Sequence, residues 1–102
     1  MDYEEEKYDL LCTFFDTQAI PLRGVPFLAA VVLFRLAEGP LHEARATHIE
    51  IASRLGVSRR TVVSALRRVE QTGWLKVVKR GTRYAPGVYR LVSPASHLKD
   101  RN

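Results

Sequence analysis

Apolar residues return every three to four positions over Met1 to Gln18, and they do so in two stripes. Tyr8, Leu11, Cys12 and Phe15 make one stripe; Tyr3, Leu10 and Phe14 make a second, displaced around the helix. Asp2 with Glu5 three residues on, in an acidic first turn, is a helix start. One stripe can pack on the domain while the other needs another cover. Tyr3, Leu10 and Phe14 are expected to meet a second copy of the chain, the alternative being that both stripes are buried within a single subunit. Ile20 to Pro26, with Pro21 and Gly24, reads as a linker. A second helix is predicted from about Pro26 to Glu38, apolar on nearly every side from Phe27 to Phe34 and stopped by Gly39-Pro40, hence central to the core. Leu41 to Ala46 is polar and loop-like, with room for a short strand. Thr47 to Glu50 is a capping-box pattern opening a third helix that runs to Leu55 and ends at Gly56. Ser58 caps a fourth helix, Arg59 to about Thr72, closed by Gly73. Trp74 to Arg80 and Gly87 to Ser93 have strand composition and flank Gly81 to Pro86, a hairpin with a flexible basic tip. Pro94 to Asn102 is polar and expected to fray. The chain thus divides into an N-terminal helical element (1–20), one folded domain (21–93) and a flexible tail (94–102).

The third and fourth helices are joined by a hinge with a mechanical logic. Ala52 is small where two helices cross closely, Gly56 four residues later permits a left-handed turn, and Val62 ten residues after Ala52 plugs the angle with Val57. Leu55, Ala65, Leu66 and Val69 continue the apolar side, which leaves Arg59, Arg60, Thr61, Ser64, Arg67 and Arg68 facing out. The expected fold class is mainly α with a small β-hairpin wing.

Charge sharpens this picture. The net charge of +5 hides an acidic start, Asp2, Glu4, Glu5, Glu6, Asp9 and Asp16 against Lys7 within residues 1–20. Residues 53–90 carry ten basic side chains against Glu70 alone, a field suited to a polyanion. The longest apolar run, Val25 to Phe34, is about half of what a bilayer requires. No membrane association and no signal peptide are expected. With a single cysteine, Cys12, no internal disulfide forms, in keeping with a cytoplasmic, nucleoid-associated protein. His42, His48 and His97 lack metal-ligand spacing, and no catalytic set is present; no metal, cofactor, small-molecule effector or enzymatic activity is expected.

A helix presented to a major groove reads base edges with its N-terminal residues. Arg59 or Arg60 is therefore placed to fork onto guanine, Thr61 and Ser64 to reach bases or phosphates, and Arg67 and Arg68 to hold the backbone. Thr47 and Ser58 sit where cap amides bind phosphate. Lys79, Arg80 and Arg83 surround the hairpin turn, for phosphates or a narrow minor groove. Tyr84 is expected to pack on the hairpin, with stacking on a sugar or shielding of the loop base as the alternatives.

A helix pair followed at once by a basic hairpin resembles the winged helix-turn-helix family, here with an extra N-terminal helix. The residues Gly56-Val57-Ser58-Arg59-Arg60-Thr61-Val62, Ala65 to Glu70 and Gly73-Trp74-Leu75 are similar to the DNA-binding domain of GntR-type regulators, over about residues 25–92. That resemblance implies recognition by Arg59, Arg60 and Thr61, with Arg80-Gly81-Thr82 as the wing. Ile49 stands where those regulators usually carry a DNA-reading arginine, the wing is longer, and no effector domain is expected. Lys79 to Leu91 also resembles the stand-alone winged helices of phage and plasmid replication proteins. The expected function is sequence-specific binding of double-stranded DNA by a homodimer, as a small transcriptional regulator. A replication, partition or excision accessory factor on repeated sites, or a protein-interaction winged helix, are the alternatives.

Overall fold

A computed structural model describes residues 3–16 and 22–93, with the side chains of the first helix described through Phe14. The expectations for Asp2, the Phe15 side chain, Pro21 and the tail 94–102 lie outside the described residues. The order of elements is α1 (Tyr3–Asp16), α2 (Val25–Leu36), β1 (Glu43–Ala46), α3 (His48–Leu55), α4 (Arg59–Thr72), β2 (Leu75–Lys79) and β3 (Gly87–Leu91). Four helices and a three-stranded antiparallel sheet, ordered β1-β3-β2, make a winged helix-turn-helix with an added first helix.

The second helix stops two residues before the predicted end. Ala37 is extended, and Glu38 and Glu43 exchange backbone hydrogen bonds of 3.0 and 3.1 Å across the Gly39-Pro40 reversal. Forming that bridge takes the chain out of helical geometry before Gly39 is reached. The helix buries Ala29, Ala30, Leu33 and Phe34, yet Leu28 stays 47% exposed, so it is less enclosed than its composition predicts.

The stretch Leu41 to Ala46, read as loop-like with room for a short strand, holds the strand β1 at Glu43–Ala46. In β1, Ala44 and Ala46 face inward and pair with Tyr89 and Gly87 of β3, while Arg90 binds Glu43 at 2.8 Å. The hairpin is therefore anchored along one edge to the helical layer and is not a free ribbon. The pairing of β2 with β3 runs Leu75 to Leu91 and Val77 to Tyr89, with an irregularity between Val77 and Lys79.

One expected dimer residue is corrected by the packing. Phe14 is fully buried within its own subunit, its ring 5.6 Å from Phe27, 5.3 Å from Phe34 and edge-on to Trp74 at 5.0 Å. Leu10 also packs against this core, as does Leu11 from the other stripe. The bulky rings of Phe34 and Trp74 form the receptacle that Phe14 fills. Tyr3 and Tyr8 remain exposed.

Candidate nucleic-acid interface

The interface is built on three local devices. Thr47 accepts the Glu50 N–H at 3.0 Å while Glu50 accepts the Thr47 N–H at 3.0 Å, which starts α3 as a reciprocal cap. Gly56 holds φ 68° and ψ 34°, the left-handed geometry of the hinge, and Val57 donates its N–H to the Ala52 carbonyl at 3.1 Å. Ser58 then accepts the Thr61 N–H at 3.1 Å, and the two hydroxyls lie 2.9 Å apart. Val62, Ala65, Leu66 and Val69 turn inward, which forces the intervening polar residues out.

Arg59, Arg60, Thr61, Ser64, Arg67 and Arg68 are all exposed on α4, and Arg59, Arg60, Ser64 and Arg67 border a concavity of about 350 Å³. None of the four arginines forms an ion pair among the described residues. That is the electrostatic core of the site: four exposed guanidinium groups on one helix, whose Glu70 is engaged by Arg80 instead. Ser58 is exposed at the start of this helix and Thr47 half-buried at the start of α3.

The tip of the wing has a defined hydrogen-bonded geometry. Thr82 donates its N–H to the Ala85 carbonyl and accepts the Ala85 N–H on its hydroxyl, both at 3.0 Å, so the tip is a closed turn. At its base Gly81 and Gly87 pinch together over the Tyr89 hydroxyl. Lys79 and Arg83 are exposed. Arg80 instead reaches back to Glu70 of α4 with nitrogen–oxygen distances of 3.3 and 3.4 Å, tying wing to recognition helix. Tyr84 does not pack on the hairpin; it is 79% exposed, with the Arg83 guanidinium 5.8 Å from its ring centre.

Three residues were given no contact role by the sequence reading. Ile49, noted there only as a departure from an arginine, is 45% exposed on the first turn of α3, while Ile51 fills the inward position. His48 and Tyr89 are buried, and nothing in their local spacing marks them. Burial, followed by the nearby Arg59 charge, holds the His48 pKa below the ordinary 6.5. Burial raises the Tyr89 hydroxyl, with Arg80 opposing. For His48 the unfolded chain takes up the proton first, so stability present above pH 6.5 is lost as pH falls through the folded value. Denaturant titrations should show a slope of at most about 1.4 kcal/mol per pH unit from this group. His48→Gln should flatten the profile below pH 6.5, and an unchanged profile removes His48 as its source.

No helix among the described residues is long and apolar enough to cross a membrane. Residues 28–85 match the family model of the Crp-like helix-turn-helix domain, a span from α2 through the tip of the wing. No curated protein matches the chain. Among solved structures, AbfR of Staphylococcus epidermidis is similar at 18% identity with a TM-score of 0.47, over 95% of this chain and 56% of that one. The chain therefore spans little more than half the length of that structure.

Proposed function

The chain belongs to the family of Crp-like helix-turn-helix domains, a DNA-binding class, and from that membership we propose that it is a sequence-specific regulator of transcription. The N-terminal half of α4 enters the major groove, and the 79–87 wing lies on the backbone or in the minor groove. The observation that carries this reading is the set of unpaired arginines on the outward face of a doubly capped α4. Arg59 and Arg60, in the first turn, read base edges. Arg67 and Arg68 lie about two turns further along and hold phosphates, with Thr61 and Ser64 between the two pairs.

The wing divides its work in a way the ion pairs support. Arg80 is occupied by Glu70 and positions the wing, whereas Lys79 and Arg83 are exposed for phosphate contact. Arg60→Ala should therefore weaken binding to a selected duplex about 5- to 150-fold and leave binding to random duplex little changed. Arg83→Ala should weaken both and reduce the slope of log affinity on log salt by about 0.9. Anisotropy titrations over a salt series separate the two; equal effects of both changes on both duplexes would overturn the assignment.

Paired half-sites about 34–36 Å apart call for two copies of the chain. With Phe14 committed to the core and Leu10 packed against it, that pairing draws on Tyr3, which stays exposed on α1. Tyr3→Glu should lower the sedimenting mass of the full chain. An unaltered mass takes this face out of the account.

A further inference from the structure

Helices α1 and α2 leave an open groove of about 280 Å³ on the surface they share. Tyr8 and Leu11 form its α1 wall, and Val31 and Phe34 its α2 wall. With Phe14 turned into the core, the other stripe of α1 is the one left at this groove. Each helix also carries a large apolar side chain outward, Tyr8 at 64% exposure and Leu28 at 47%. Leu28 precedes Val31 by three residues and Arg35 by seven, so all three lie on one face of α2. We propose that a second copy of the chain docks on this groove, the α1 wall of each copy lying on the α2 wall of the other.

Charge selects a second copy over another partner. The α1 side is acidic: Glu4 lines the groove with its side chain 78% exposed, beside Glu5 and Glu6 in the same first turn. The α2 side carries Arg35, exposed and without an ion pair among the described residues. Lys7 is withdrawn from the rim, its ammonium held by the Ala37 carbonyl at 3.1 Å and by Glu4 at 3.3 Å. Opposite charges on opposite walls make the groove complementary to itself. A two-fold axis along the groove brings Glu4 to the partner's Arg35, and Tyr8 to the partner's Leu28 and Val31, twice over. A groove rimmed by one sign would repel its own copy, and a partner of one sign would meet like charge on one wall.

The contact leaves the DNA face free. Its residues belong to α1 and α2, so Arg59, Arg60, Arg67, Arg68 and the wing stay outside it. Its role, joining two readers for paired half-sites, rests on the DNA reading; the contact itself does not. Tyr3 does not line the groove, so its substitution tests a different part of α1.

The test uses the full chain without DNA, in sedimentation equilibrium from about 1 to 500 μM. The unaltered chain should show a reversible monomer–dimer equilibrium. Leu28→Asp should weaken it at least about tenfold while circular dichroism stays that of the unaltered fold, since Leu28 is exposed in the single copy. Arg35→Glu and Glu4→Arg should each weaken it about three- to tenfold, and combining them should recover most of the loss. A chain that stays monomeric up to about 500 μM overturns the proposal. So does a dimer that Leu28→Asp leaves intact, or a pair of charge reversals whose losses simply add. NOEs in a mixed-label sample identify the occupant. Contacts from Tyr8 of one copy to Val31 of the other are expected; contacts to Val31 from residues 94–102 of the same copy overturn the proposal. A chain that binds duplex but fails these tests loses only this contact. A dimer of this kind that retards no duplex loses the DNA reading and keeps the contact.

Discussion

Phe14→Ala is expected to destabilise the domain by about 3–5 kcal/mol, the largest loss from any single truncation in α1. The ring is fully buried, and it is held on three sides by Phe27, Phe34 and Trp74 at 5.6, 5.3 and 5.0 Å. Its edge-on contact with Trp74, at 89°, adds an aromatic term of about 0.5–1.5 kcal/mol to the apolar transfer. Alanine would leave a cavity walled by rings too large to collapse into it. Against a typical domain stability of about 5–15 kcal/mol, such a variant is marginal. Urea unfolding provides the measurement. A loss below about 1 kcal/mol, together with a lower sedimenting mass, would return Phe14 to the dimer face that its helical stripe predicts.

Gly87→Ala is the second large effect, and it acts through overpacking. An added Cβ would sit 2.5 Å from the Tyr89 hydroxyl oxygen, 2.7 Å from its Cζ and 2.9 Å from the Gly81 backbone nitrogen. The Tyr89 ring is 2% exposed and has nowhere to retreat, while Gly81 is backbone. We expect a loss of about 2–3 kcal/mol, with the wing shifted off its base and affinity for duplex lowered with it. The double variant with Tyr89→Phe provides the control, since it removes the atom of closest approach. Recovery of part of the loss, as a non-additive coupling, identifies the clash as the cause. Strict additivity would place the damage elsewhere.

Much of the reading unit was legible because its chemistry is local. The reciprocal cap of Thr47 and Glu50, the left-handed Gly56 and the cap at Ser58 each involve residues within four positions of one another. The inward run of Val62, Ala65, Leu66 and Val69 covers only two turns of one helix, and it determines where the arginines point. The resemblance to GntR-type domains rested on this same hinge, and the family that matches is the Crp-like one. Small residue, glycine and valine at those spacings specify a crossing of two helices; they do not distinguish branches that share the crossing.

Elsewhere the local pattern offered equal choices. Both stripes of α1 are apolar at helical spacing, and periodicity alone does not say which meets the core; the Phe34 and Trp74 rings decide it. Likewise Arg80 has the sequence context of any wing arginine, until the fold brings Glu70 within 3.3 Å.

The amino-acid order by itself determined the capped helix pair, its glycine turn and its positive outer face, because each rests on interactions within a turn or two of helix. Only the tertiary structure decided that β1 joins the wing as a third strand, with Glu43 facing Arg90. It alone buried Phe14, His48 and Tyr89. Those outcomes depend on which distant surfaces fill the same space, and that competition for volume leaves no periodic trace along the chain.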